Sequence, residues 1–301
     1  MLVVLADQMG RSVGDMYAGA IGPSIIQVML FCGWVLIVSI IWPDDVPALP
    51  KEARTLQGWQ LWKRCMRGMI PSLGLIFLVL GTIFMGLATP TEAGAMGVVG
   101  AIALAWFYGS LTWPLLYQGM SSTMRLTAMV VYILIGARVF SLVFQGVGGK
   151  VWIEDLLTSL PGGPVGFLIF TNAFIFLIAF FLDFFEIAFI IIPMLTPAAE
   201  KLGIDLIWFG VLICANIQTS FMHPPFGFAL FYLRGIAPKS IKTSDIYWGA
   251  IPWIGSMVIL VAIVILWPAS VTFWIDRTTK IDPSKVKIEI QMPEMPPLNF
   301  K

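Results

Sequence analysis

The sequence predicts an all-α polytopic membrane protein that contains at least one re-entrant helical hairpin. Three observations carry the prediction. Hydrophobic residues make up 58% of the chain, charged residues only 12%, and the mean hydropathy is +0.90. Soluble domains carry about 25% charged residues. Several apolar runs approach or exceed the ~20 residues a helix needs to cross a hydrocarbon core about 30 Å thick. One stretch, LIWFGVLICANIQTSFMHPPFGFALFYLRGI at 206–236, enters as an apolar run, breaks, and returns as another.

That stretch is the most informative part of the chain. The first arm, 206–215, runs into Asn216, Gln218, Thr219 and Ser220, then His223, Pro224, Pro225 and Gly227, before a second apolar arm reaches Tyr232. Neither arm is long enough to cross alone. Two consecutive prolines remove two N–H donors and stop a helix. A break of this kind leaves backbone polar groups bare at membrane depth, which is tolerated only against protein or a water-filled cavity. Short, Pro/Gly-interrupted apolar segments point to the binding site of a secondary transporter.

The remaining elements follow in order. The opening residues supply five apolar positions before Asp7 with no basic region ahead of them, so they predict neither a signal peptide nor a span. The first span is expected over 17–42, closed by Pro43. A polar stretch, 44–67, holds Lys51, Arg54, Lys63, Arg64 and Arg67, and the positive-inside rule places it in the cytoplasm. Arg234, Lys239 and Lys242 argue the same for the loop after the hairpin. Interrupted segments leave the span count, and hence the orientation, open. Further spans are expected over 68–87, 95–113, 123–144, 164–182 and 246–274, with Pro90 and Asp183 as interruptions. KVWIEDLLTSL at 150–160 has Trp152, Leu156 and Leu160 on one side and reads as an interfacial or linking helix. The tail 276–301 is charged and rich in proline, the pattern of a disordered or loosely docked segment.

An internal repeat is also visible. DMYAGAI at 15–21 and DIYWGAI at 245–251 agree at five of seven positions with an offset of 230 residues. Each follows a polar stretch and opens a span that ends in Trp-Pro, at Trp42-Pro43 and Trp267-Pro268. On this register Met1 falls opposite Phe231, in the second arm of the hairpin. The expected organisation is therefore a first, incomplete repeat at 1–43, a polar connection at 44–67, a second repeat at 68–275 containing the hairpin, and the tail. The register also predicts an N-terminal truncation of roughly 130 residues relative to a complete two-repeat chain, and no transport by these residues alone.

Residue chemistry offers three candidate groups. Asp183 lies inside an apolar run, where a carboxylate costs about 2.5–3.5 kcal/mol on insertion scales and persists by meeting a cation or a proton. Glu186 shares its helical face. The competing reading is a structural ion pair between Asp183 and Arg138. Thr89, Thr91 and Glu92 flank Pro90 in ATPTEA. Their oxygens suit a hard cation such as sodium, and equally suit a helix start with Thr91 as N-cap and nothing bound. At the hairpin tip Asn216, Gln218, Thr219 and Ser220 supply oxygens, while Gly227 permits close backbone approach. His223 reads as a packing histidine. The three cysteines, Cys32, Cys65 and Cys214, are scattered without metal-like spacing, and a single histidine rules out a His-rich metal site. A net charge of +1 gives no field that would attract nucleic acid.

Three stretches resemble one family. GLATPTEAGAMG at 86–97, LDFFEIAFIIIPMLTPAAEKLGID at 182–205 and HPPFGFALFYLRGIAP at 223–238 are similar to the large membrane subunit of tripartite ATP-independent periplasmic (TRAP) transporters, and ADQMGRSVGDMYAGA at 6–20 looks like the exit of that family's first hairpin. The resemblance covers most of residues 1–275. It implies an elevator-type ion-transporter fold with two inverted hairpin repeats, in the bacterial inner membrane. It further implies a small membrane subunit and a periplasmic substrate-binding protein as partners, and sodium-driven import of an organic acid, with sodium as coupling ion and no other cofactor. The positions it marks are Thr89 and Thr91, Asp183, and Asn216, Thr219, Pro224, Pro225 and Gly227. Ser220 joins them from residue chemistry alone.

Secondary transport is thus the expectation. An intramembrane enzyme needs a nucleophile–base pair or metal ligands at depth, and only Asp183 and Glu186 are close carboxylates. A non-transporting scaffold, or an inactive fragment of a transporter, is the alternative. The discriminating observation is whether the hairpin tip, the ATPTE break and Asp183 converge in space.

Overall fold

The structure, a computed structural model, describes residues 1–44, 46–47, 50, 54, 58–224, 227–238 and 240–275. Helices α1 (Leu2–Gln8) and α2 (Val13–Ile41) are followed by α3 (Gly58–Phe84), α4 (Pro90–Phe107) and α5 (Trp113–Gly146). Then come α6 (Gly149–Thr158), α7 (Gly163–Ile178), α8 (184–201) and α9 (Leu206–Met222). The last three are α10 (Phe228–Ile236), α11 (Thr243–Leu266) and α12 (Ala269–Ile275). No strand occurs among the described residues. Helices α2, α3, α4, α5 and α11 are each long and apolar enough to cross a membrane. The protein is all-helical and polytopic, as predicted.

Local chemistry sets most boundaries. The Ser12 side chain accepts the Asp15 N–H to start α2, and Thr112 accepts the Leu115 N–H to start α5. That cap starts the span expected at 123–144 ten residues earlier, and the helix runs on to Gly146. Helices α2 and α11 end alike, at Trp42 (φ −126°, ψ 69°) and Trp267 (φ −129°, ψ 74°). Each tryptophan precedes a proline, which pushes the residue before it out of the helical region. The single span expected at 246–274 is consequently two helices, α11 and α12, divided at Pro268. Helices α6 and α7 meet at an angle of 116° around Gly162, whose φ of +93° suits only glycine. The predicted apolar stripe is split: Trp152 and Leu156 of α6 face outward, whereas Leu160, just beyond it, packs with Leu157 against the core.

The core surrounds α9. From Phe209 to Ile217 every position is buried, so this helix is apolar on all sides because it is covered on all sides. Helices α1, α2, α7, α8 and α11 cover it. Leu5 and Ala6 of α1 are fully buried there, so the short opening segment has packing partners that its length did not suggest. Helix α2 lies closest to α12: a Cβ on Gly22 would sit 1.9 Å from the Ser270 carbonyl oxygen, and one on Gly19 would sit 2.9 Å from Val271. Small residues admit this close backbone approach in membrane proteins. Helices α3, α4 and α5 turn most of their large apolar side chains outward, the arrangement of lipid-facing spans. Outside the spans, Arg11 pairs with Glu200 at 3.3 Å, and Lys201 pairs with Glu154 at 3.2 Å and Asp155 at 3.5 Å. Hydrogen bonding and charge from Glu154, with Asp155 adding to them, hold the Lys201 ammonium above its ordinary range.

The polar tail at 276–301 and much of the connecting stretch at 44–67 lie outside the described residues.

Candidate functional site

The break predicted within 206–236 is present. α9 runs inward as an α-helix to Ile217, tightens into a 3-10 turn over Gln218–Met222, and breaks at His223 before α10 leads away. Pro224 forms the turn, and Pro225 lies outside the described residues. The Gly227 N–H donates to the His223 carbonyl at 2.7 Å. A Cβ on Gly227 would sit 2.7 Å from the Phe221 carbonyl oxygen and 3.0 Å from that of His223. Glycine is therefore needed here for close approach to its own chain, before any approach to a ligand.

A second break faces the first. α7 ends at Ile178, residues 179–183 turn, and α8 restarts at Phe184 with Asp183 in the N-cap position. The Asp183 N–H donates to the Glu186 carboxylate at 3.2 Å, and a wide π-helical turn follows over Ile187–Ile191. Such turns recur at functional sites. Between the two breaks is a cavity of about 260 Å³ lined by Ala179, Phe180, Phe181, Leu182, Asp183, Ser220, His223 and Phe231. Asp183 is half-buried at its wall. Among the described residues it makes no ion pair, and Arg138 stands exposed on α5. The Asp183–Arg138 pair is thus absent.

The hairpin's polar residues divide into those turned to packing and those facing the cavity. Asn216 is 2% exposed, and its amide donates to the Asn172 carbonyl at 2.8 Å and to Asn172 Oδ1 at 3.0 Å. Asn172 in turn donates to the Leu168 carbonyl at 2.8 Å. Thr219 is fully buried and donates to the Asn216 carbonyl at 2.7 Å; Ser220 donates to the Ile217 carbonyl at 2.7 Å. Both hydroxyl protons point back into the helix, which leaves oxygen lone pairs as acceptors. His223 is 1% exposed, and neither ring nitrogen has a hydrogen-bond partner among the described residues. Its ring stacks on Phe180 at 4.1 Å and meets Phe176 edge-on at 4.5 Å. The packing reading of His223 fits these contacts, but an imidazole with both nitrogens unpaired beside a cavity is costly unless water or a ligand meets it.

The ATPTE break does not join this site. Thr89, rather than the expected Thr91, is the N-cap of α4, with Pro90 in the first turn. The Thr89 N–H and hydroxyl both donate to Glu92 at 2.7 Å, and the Glu92 N–H donates back to Thr89 at 3.4 Å. This is a reciprocal capping box. Thr89, Thr91 and Glu92 are exposed, and none lines the cavity at Asp183. Of the three features expected to converge, two do.

Sequence reasoning missed Asn172 and Phe176, one turn apart on α7, and Phe180 in the turn just after it; they meet Asn216 and His223. The signal was present: Thr171 and Asn172 are the polar pair inside the otherwise apolar Gly163–Ile178. A second cavity of about 170 Å³ was also missed; it lies between α2 and α9, lined in part by Ser24, Gln27 and Gln218, and the Gln27 amide is buried there without a partner.

The family described as "Tripartite ATP-independent periplasmic transporter, DctM component" matches residues 1–270. The chain belongs to this family. Among curated relatives it is 27% identical, over 285 residues, to the C4-dicarboxylate TRAP transporter large permease protein of Vibrio cholerae, covering 88% of this chain and 61% of the relative. It is 27% identical over 265 residues to the ectoine TRAP transporter large permease protein of Halomonas elongata (88% and 60%). It is 26% identical over 254 residues to the 2,3-diketo-L-gulonate TRAP transporter large permease protein of Escherichia coli K12 (84% and 57%). The chain thus spans about three-fifths of the length of these TRAP permeases. The relatives are named for chemically different solutes, so membership leaves the solute of this chain unnamed.

Proposed function

We propose that the protein is the large membrane subunit of a sodium-coupled uptake system for an organic acid, acting in the bacterial inner membrane as a transporter rather than an enzyme. The observation that carries the reading is the cavity in which the hairpin tip and the Asp183 break face each other. A half-buried carboxylate without a cationic partner among the described residues, together with a serine oxygen whose proton is turned away, forms an acceptor-rich set suited to a hard cation. The broken backbones on both sides supply carbonyls of the same character. The relatives' names support uptake with partners: a small membrane subunit beside this one, and a periplasmic binding protein that delivers the acid. An elevator motion with inverted repeats fits the matching ends of α2 and α11 and is part of the proposal.

One observation favours a non-transporting role, the position of Thr89 and Glu92 away from the cavity. On the transport reading that break serves as a capped helix start, or belongs to a second ion site with groups outside this chain.

The test is uptake by the complete system reconstituted in vesicles. Uptake is expected to require a sodium gradient. Equal uptake with potassium in place of sodium overturns ion coupling by sodium, and vesicles that accumulate no organic acid under any gradient favour the scaffold.

A further inference from the structure

The first turns of α3 read GWQLWKRCMRG and carry three cations and no acid. Lys63, Arg64 and Arg67 are exposed and take part in no ion pair among the described residues. Arg64 and Arg67 are three residues apart and so share a face. Pro71 follows Arg67 by four residues and lacks the N–H that would close the helical bond to the Arg67 carbonyl. The Tyr108 hydroxyl, just beyond α4, donates to that carbonyl at 3.1 Å. One proline thus frees an acceptor, and one tyrosine uses it to join the start of α3 to the end of α4.

The join forms an open cleft of about 480 Å³ with Arg64 and Arg67 on one side, Leu104 and Tyr108 on the other, and Pro71 and Ser72 deeper in. Among the described residues a Cβ on Gly68 would meet nothing within 4 Å, so none of them fills the cleft between the two arginines and the α4 wall. Exposed tryptophans surround this end of the molecule: Trp59 and Trp62 on α3, Trp106 on α4 and Trp113 on α5. A girdle of exposed tryptophans marks the headgroup level of a membrane protein.

We propose that this cleft binds the phosphate of an anionic phospholipid, with the guanidinium forks of Arg64 and Arg67 on the phosphate oxygens and the acyl chains along the apolar faces of α3 and α4. Guanidinium forks match phosphate geometry, and basic clefts between spans at the headgroup level are suited to lipid phosphates. The apolar wall and the tryptophan girdle favour a lipid over free phosphate, which needs neither.

The experiment uses the complete permease complex, purified, delipidated in mild detergent and supplied with phosphatidylglycerol or phosphatidylcholine, with retained lipid counted by native mass spectrometry. Phosphatidylglycerol is expected to be retained in preference to phosphatidylcholine. Retention is expected to weaken about fivefold for each of Arg64→Gln and Arg67→Gln. Equal retention of the two lipids, or unchanged retention in the double variant, overturns the proposal. Displacement of the lipid by millimolar inorganic phosphate assigns the cleft to free phosphate and overturns the proposal as well. Should the glutamine pair not reach the membrane, Arg64→Lys with Arg67→Lys carries the test. It keeps the charge and loses the forks, and retention equal to the parent's overturns the assignment of the forks to the phosphate.

Discussion

Replacing Asp183 with Asn exchanges one oxygen for a nitrogen and removes one charge, which makes it a clean separation of folding from coupling. Three structural terms set the folding cost. Asn and Asp serve equally well at an N-cap, so the start of α8 is kept. The carboxylate's interaction with the positive helix end is worth about 0.3–1 kcal/mol and is lost. No ion pair among the described residues is broken, because Arg138 stands exposed on α5 rather than against Asp183. A buried pair losing one partner would cost about 3–5 kcal/mol, and that penalty does not arise. Desolvation runs the other way: a neutral amide is easier to hold half-buried than a carboxylate. The net effect on folding is below about 1 kcal/mol, which leaves membrane insertion and amount unchanged.

The effect on transport is of another size. If Asp183 meets the coupling cation, loss of the charge removes a charge-assisted contact worth about 1.5–3 kcal/mol, a factor of about 10 to 150 in the ion concentration needed. The assay is initial uptake rate against sodium concentration in vesicles, normalised to the amount of permease by quantitative blotting. Asp183→Asn is expected to need at least tenfold more sodium while reaching normal amounts in the membrane. A variant that vanishes from the membrane makes Asp183 structural, and one whose sodium curve overlays the parent's removes Asp183 from coupling.

Two further substitutions probe the packing that holds the site. Gly22→Ala gains about 1 kcal/mol of helix propensity but drives a methyl to within 1.9 Å of the Ser270 carbonyl, a backbone atom that cannot step aside; thermal unfolding in detergent should begin at a lower temperature. Gly210→Ala is the control, because its Cβ meets the flexible end of Met16 at 2.2 Å and the chain can give way there; an equal loss in both variants would refute the distinction. Asn172→Ala leaves the Asn216 amide buried with one acceptor fewer, at a cost of about 1–3 kcal/mol. A cysteine at Ser220 should then react faster with an aqueous thiol reagent than in the parent, and an unchanged rate would show that the amide pair does not fix the tip.

The break after Met222 and the spans were legible in the sequence because both are written in long-range hydropathy and in proline. The membrane imposes a simple rule, that backbone groups be paired within the helix or sheltered, and the rule leaves a visible trace in the chain. Helix starts were harder. Thr112 and Thr89 cap their helices with single hydroxyls, and a cap is decided by whichever of several nearby Ser and Thr residues reaches the right N–H; Thr91, the cap expected from the sequence, lies two residues past the hydroxyl that does so. The Asp183–Arg138 pair was read from composition, since the two are charges in neighbouring apolar runs. What decides the matter is helical phase, and Arg138 lies on the outer face of α5. The contribution of α7 was hidden for a different reason. Asn172 and Asn216 are 44 residues apart, and no local pattern announces which polar residue another will meet.

Counting hydrogen bonds narrows the candidate site beyond what residue type could do. Asn216 and Thr219 were candidate ligands because they are polar residues at a break. The Asn216 amide is taken up by Asn172 and the Thr219 hydroxyl proton by its own helix, so the first holds the hairpin and the second tightens its last turn. Asp183, Ser220 and His223 differ in lining the cavity with acceptor capacity to spare. In a protein interior, where unpaired polar groups are scarce, unused capacity turned toward a space is a stronger sign of a ligand than polarity itself. The same count explains why α7 matters: Asn172 and Phe176 meet Asn216 and His223, and the helix then leads directly into the turn that carries Phe180, stacked on His223, and presents Asp183. The two breaks are positioned against each other by one rigid element, so a displacement of the hairpin along α7 changes the distance between Ser220 and Asp183, and with it the fit of whatever the cavity holds.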